Sequence, residues 1–199
     1  MSDSTKNMTC YILAGGKSSR MGTDKGLIQL KDKAIIEYVI ETARPLFKDV
    51  FIVSTNSEYS KFGLDLIPDR VKEIGPAGGI LTALHHCTTE KLFVLSCDMP
   101  FIKAAAIEYV IAQSTKYQIT LPIHQKKFEP LFAVYSKSCL EKWEESIQEE
   151  VFKLQNIISN FKSQELDVEG NPLFPEELFT NINAKEDLQN AIKKLTHDN

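Results

Sequence analysis

Short, wholly apolar segments alternate along this chain with stretches whose apolar residues recur at helical spacing, and few folds accommodate that alternation. Thr9–Leu13, Val50–Val53, Leu64–Ile67, Leu92–Ser96, Ile119–Pro122 and Leu131–Tyr135 read as strands. Most are apolar throughout rather than alternating, as expected where helices cover both faces of a parallel sheet. The pattern predicts an α/β protein with three α/β/α layers around a Rossmann-like, mainly parallel sheet.

The intervening segments supply the helices. Ile35, Ile36, Val39, Ile40 and Ala43 share one face, and Pro45 helps to end that helix because it has no N–H to donate. Pro76 can open a helix carrying Ile80, Leu81 and Leu84, and Ala104–Gln113 gathers Ile107, Val110 and Ile111. Residues 140–161 predict a long or broken amphipathic helix bearing Trp143, which reads as a core residue. Asn183 and Glu186 resemble a capping box before a last helix with Leu188, Ala191, Ile192 and Leu195. No repeat or Pro/Gly/Ser-rich linker divides the sequence, so residues 9–199 read as one domain behind a polar tail, 1–8.

Charge and cysteine content exclude several partners. With 23 Lys+Arg against 27 Asp+Glu in 199 residues, the net charge is −4, which argues against a general phosphate-backbone binder and hence against nucleic acid. No apolar run approaches the ~18 residues of a membrane span. The start of the chain lacks a signal-peptide apolar core. Cys10, Cys87, Cys97 and Cys139 have no CxxC spacing and read as buried thiols in a cytoplasmic protein. The adjacent His85 and His86 would point about 100° apart on a helix, so they do not make a metal pair.

In parallel sheets, ligands collect beyond the carboxyl ends of the strands. After the first strand comes Ala14-Gly15-Gly16-Lys17-Ser18-Ser19-Arg20-Met21-Gly22, then Thr23-Asp24-Lys25. Adjacent glycines let backbone amides approach phosphate oxygens, and Arg20 and Lys25 can add positive charge. A surface turn is the plain alternative. The segment is not a P-loop, because Tyr11 stands where GxxxxGK[ST] needs glycine. Nor is it GxGxxG, which would need glycine at Lys17 and Arg20.

Other strand ends carry matching chemistry. Asp98, in Ser96-Cys97-Asp98-Met99-Pro100, is placed to hold a cation such as Mg²⁺, or else to cap the next helix. Asp69 precedes Gly75-Pro76-Ala77-Gly78-Gly79; its carboxylate can accept from a purine N1–H and exocyclic amine, or support a metal indirectly. The pair Gly78-Gly79 can let a base lie flat on backbone at a helix start, or simply form the helix entry. Asn56, by itself, reads as a turn former.

Leu13-Ala14-Gly15-Gly16-Lys17-Ser18-Ser19-Arg20-Met21-Gly22-Thr23-Asp24-Lys25 resembles the signature of the molybdenum cofactor guanylyltransferases, within the nucleotidyltransferase superfamily. Gly15 in LAGG, rather than alanine in LAAG, leans toward the guanylyl over the cytidylyl branch. Ser96–Pro100 resembles the family's CDxP metal site. Gly75–Gly79 resembles its GPLAG segment, with Ala77 and Gly78 standing where leucine and alanine are common. Glu129–Tyr135 resembles an EPLxAVY strand and Phe179–Asn183 an FxNIN segment, so the resemblance runs in order from about residue 9 to residue 195.

The resemblance implies a nucleotidyltransferase-type fold and transfer of GMP from GTP to molybdenum-bound molybdopterin, releasing pyrophosphate. It implies Lys25, Arg20 and Asp98 as catalytic residues, with Asp98 holding Mg²⁺. Leu13, Ala14, Gly15, Asn56, Asp69 and Gly78 would join Lys25 and Asp98 in binding nucleotide. Asn181 and Asn183 would lie on the acceptor side, and molybdoenzymes or their chaperones would receive the product. Two rivals stand beside this reading: a nucleotidyltransferase using CTP or a sugar-phosphate acceptor, and a non-catalytic nucleotide- or pterin-binding assembly protein.

Overall fold

A computed structural model describes residues 7–15, 24–182 and 185–197. β1 (Thr9–Leu13) lies at the centre of an eight-stranded sheet and is buried along its whole length. Its side chains alternate between two cores: Cys10 and Ile12 face one, Tyr11 and Leu13 the other. An apolar residue is needed at every position, which is why the strand reads as one continuous apolar run.

β4 (Val50–Val53) and β6 (Lys91–Ser96) flank β1 in parallel, and β5 (Leu66–Ile67) extends β4 on the outside. Beyond β6 lie β9 (Phe132–Ser136), β7 (Ile119–His124) and β10 (Ser163–Asp167), in that order. β9 runs antiparallel to both neighbours, so the sheet is mostly rather than wholly parallel. β8 (Lys127–Phe128) forms a short hairpin with β7.

α1 (Ile35–Ala43) and α3 (Ala104–Gln113) cover the Cys10 face of the sheet, and α2 (Pro76–His86) and α4 (Leu140–Gln148) cover the other. The α1 face is the one predicted, and the helix ends one residue before the Arg44-Pro45 step. Glu37 closes its start by accepting from the Ala34 N–H at 2.6 Å. α2 is buried from Ala77 to Leu84, wedged between the sheet and α4, where the Trp143 indole N–H donates to Ala77 O at 3.1 Å. Trp143 is thus a core residue.

Several elements differ from the sequence reading. β5 pairs only at Leu66 and Ile67, because Gly63 turns the chain in a left-handed conformation and only the last two residues of β4 remain to be paired. The amphipathic stretch breaks at Glu150, whose φ is 59°, and resumes as α5 (Leu154–Ile158). β10 was not predicted: in Ser-Gln-Glu-Leu-Asp only Leu166 is buried, and a polar edge strand carries no apolar signal. The hairpin of β2 (Gln29–Leu30) and β3 (Lys33–Ala34) was also missed, since two-residue strands have no periodicity to detect. α6 (Lys185–His197) forms where a last helix was expected, but Asn183, its suggested cap, lies outside the described residues.

All four cysteines are free and buried. Among the described residues no helix is long and apolar enough to cross a membrane.

Candidate functional site

A cleft of about 670 Å³ opens at the carboxyl ends of β1, β4 and β6. It exists there because the three parallel strands stop together and hand the chain to loops that diverge. Cys97 N donates to Leu13 O at 3.1 Å and Ala14 N to Val53 O at 2.9 Å, pinning the mouth of the first glycine-rich turn to its neighbours. Leu13, Ala14, Gly15, Lys25, Asn56, Asp69 and Asp98, all named from sequence, line this one cleft. Arg20, with the rest of 16–23, lies outside the described residues.

Asp98 is the most confined charge of the site, 8% exposed. Its Oδ1 accepts from the Ser96 hydroxyl at 2.5 Å, and its Oδ2 lies 3.4 Å from Lys25 Nζ. It does not cap a helix: α3 begins only at Ala104, after Lys103. Among the described residues no group of three or more His, Cys, Asp or Glu side chains could cage a metal. One confined carboxylate on an open cleft suits Mg²⁺, which takes one or two protein carboxylates and fills its shell with phosphate oxygens and water. It does not suit a zinc site, which needs three or four protein ligands.

Asp69 lines the same cleft, and burial raises its carboxyl above the ordinary range. The wall beside it depends on α2. Gly75 starts that helix with φ 65° and ψ −149°, backbone that only glycine adopts readily. Gly75, Pro76 and Gly79 line the cleft; Gly78 does not. Instead Gly78 faces inward, and a Cβ there would stand 2.7 Å from Val71 O. Its part in the site is to let the loop after Asp69 lie directly on the helix. The Thr82 hydroxyl locks that contact, accepting from Arg70 N at 3.0 Å and donating to Gly78 O at 2.9 Å.

Asn56 serves as turn former and cleft wall together. Its Oδ1 accepts from Glu58 N at 3.0 Å, capping the 3₁₀ turn Ser57–Phe62. Asn181 is exposed and sits off the cleft lining, but the next residue reaches the site: Ile182 N donates to Asp98 O at 3.1 Å. The segment that resembles FxNIN is therefore tethered to Asp98. Asn183 lies outside the described residues.

Ser54, Ser96 and Asp24 belong to the cleft and were not singled out from sequence. Each adjoins a predicted strand end or motif, which was the available signal. Glu129, in the EPL segment, is desolvated by burial, which outweighs the opposing charge of Lys127 and pushes its carboxyl up to about 7. His85 bonds Glu144 at 2.6 Å and His86 bonds Tyr11 at 2.9 Å, so both histidines are engaged in packing between elements.

A family model described as MobA-like NTP transferase domain matches residues 10–165. The chain is 36% identical over 197 residues to a probable molybdenum cofactor guanylyltransferase of Aquifex aeolicus, covering 97% of this chain and 94% of that protein. It is 34% identical over 184 residues to one of Flavobacterium johnsoniae, covering 92% and 95%. In structure it is similar to the molybdopterin-guanine dinucleotide biosynthesis protein A of Archaeoglobus fulgidus. That pair has a TM-score of 0.82 and 28% identity over 96% of this chain and 100% of the other.

Proposed function

Because this chain belongs to the MobA-like NTP transferase family and is a nucleotidyltransferase, we propose that it transfers GMP from GTP to molybdenum-bound molybdopterin, yielding the guanine dinucleotide cofactor and pyrophosphate. The observation that carries this reading is the pairing of Lys25 and Asp98 at the mouth of the glycine-rich turn, one cation and one carboxylate facing a triphosphate-sized cleft.

A terminal phosphate oxygen of the acceptor attacks the α-phosphorus of GTP in line with the bridging oxygen to the β-phosphate. The new P–O bond forms as that bridging bond breaks, and pyrophosphate leaves. No covalent enzyme intermediate is required, so the protein contributes positioning and charge neutralisation. Asp98 would hold Mg²⁺, which supplies Lewis-acid neutralisation of the phosphates. Lys25, joined by Arg20, offsets charge on the triphosphate and leaving group. The backbone of Leu13, Ala14 and Gly15 cradles phosphate oxygens. Asp69 accepts from the guanine N1–H and exocyclic amine, Asn56 contacts the nucleotide, and Gly78 lets the base wall close.

Asn181 and Asn183 serve the acceptor, an assignment supported by the bond from Ile182 N to Asp98 O. The reaction is cytoplasmic, and molybdoenzymes or their chaperones take the product. The test is pyrophosphate release with Mg²⁺ and molybdenum-loaded molybdopterin, comparing GTP, CTP and ATP, with mass identification of the product. Release with GTP alone is expected. Release with CTP alone would move the protein to cytidylyl transfer, and binding without release to an assembly role.

A further inference from the structure

Tyr59 is fully buried behind the cleft, and its hydroxyl donates to Oδ1 of Asp24, which lines the cleft. Asp24 immediately precedes Lys25 and opens the short 3₁₀ turn Lys25–Leu27, accepting at its backbone carbonyl from Leu27 N at 3.0 Å. Gly26 makes room for the hydroxyl: a Cβ there would stand 2.6 Å from Tyr59 Oη and 3.1 Å from Cys97 Sγ. At its other end, Tyr59 is carried on the turn capped by Asn56, whose N–H donates to the Ser54 hydroxyl at 3.1 Å. A continuous set of contacts thus runs from the end of β4 through Asn56 and Tyr59 to Asp24, then to the Lys25–Asp98 pair.

We propose that Tyr59 is a positioning residue for nucleotidyl transfer: its hydroxyl, by holding Asp24, fixes the backbone from which Lys25 presents its ammonium to the phosphates beside Asp98. The physical need is plain. A lysine has four rotatable side-chain bonds, and an electrostatic donor acts on a transition state only when its base is held still. Apart from its hydroxyl the side chain is packed as core, its ring 6.1 Å from that of Phe62, so the polar atom is separable from the packing.

This inference rests on the reading of Lys25 as a phosphate-facing cation, and Tyr59→Phe tests it. In Y59F, kcat is expected to fall about 10–100-fold, the scale of a small misplacement of a catalytic group, while KM for GTP moves less than about threefold. The same substitution in a K25A background should cost almost nothing more, because a residue acting through Lys25 has nothing left to position. Equal losses in both backgrounds, or unchanged kcat in Y59F, would overturn the proposal.

A second readout is independent of turnover: the rate of amine-reactive labelling at Lys25, followed by peptide mass spectrometry. Severalfold faster labelling in Y59F, with an unchanged melting temperature, is expected. Wild-type protein that fails to turn over GTP would count against the guanylyl reading, whereas unaltered labelling of Lys25 in Y59F would count against this one.

Discussion

Lys25 Nζ and Asp98 Oδ2 stand 3.4 Å apart although 73 positions separate them in sequence. The contact is half-open: the lysine side chain is 32% exposed and the aspartate side chain 12%. A buried ion pair would be a structural lock. A pair left open on one side can accept a polyanion on the lysine and a divalent cation on the carboxylate, with the two charges kept from repelling either ligand.

Lys25→Ala should lower the rate of pyrophosphate release by about 10²–10³, the usual cost of one preorganised electrostatic donor. Steady-state kinetics with GTP check this, and a loss under about fivefold would demote Lys25 to a surface cation.

Asp98→Asn keeps the shape and can still meet the Ser96 hydroxyl. Turnover should fall at least about 10³-fold and cease to respond to Mg²⁺, while the thermal melt stays within a few degrees of wild type. Chelating Mg²⁺ in the wild-type protein should have the same effect, reversibly. Near-normal turnover in the variant would remove the metal role.

Gly78→Ala forces a Cβ against the Val71 carbonyl, a backbone atom that cannot rotate away. Such overpacking costs about 1–3 kcal/mol. A lower melting temperature and a raised KM for GTP are expected, with kcat largely kept, because the loop displaced is the one that follows Asp69.

Asp69→Asn replaces an acceptor-only group by one that presents N–H donors to the guanine edge. Lost and mismatched hydrogen bonds should lower kcat/KM for GTP by about 10–100-fold and narrow the gap to ATP. Parallel assays with both nucleotides decide it; an unchanged ratio would place base recognition elsewhere.

Glu129 supplies a pH dependence of stability. Its folded pKa, pushed up to about 7, lies above the ordinary glutamate value, so folding favours the protonated form. The resulting stability is present in full below about pH 4.5 and lost as pH rises through 7. Glu129→Gln should therefore melt a few degrees higher than wild type at pH 8 and at the same temperature near pH 4. Equal melting at both pH values would show that the carboxylate is solvated.

Sequence alone determined the layers and most of the cleft. β1, β4 and β6 are covered on both faces, so their apolar runs could be read directly, and the residues after them had to fall at one end of the sheet. Gly15 after β1 and Asp98 after β6 were found that way, as was Asp69 after the shorter β5. The tertiary structure decided what depends on contacts between distant segments. It turned Gly78 from the cleft wall to the seat of a loop, and it tied Ile182 to Asp98. It also brought the Tyr59 hydroxyl to Asp24 over a gap of 35 positions. Periodicity records which face of an element is buried, because burial acts on each residue by its own polarity. A hydrogen bond between two loops leaves no such trace, because either partner alone is an ordinary polar residue.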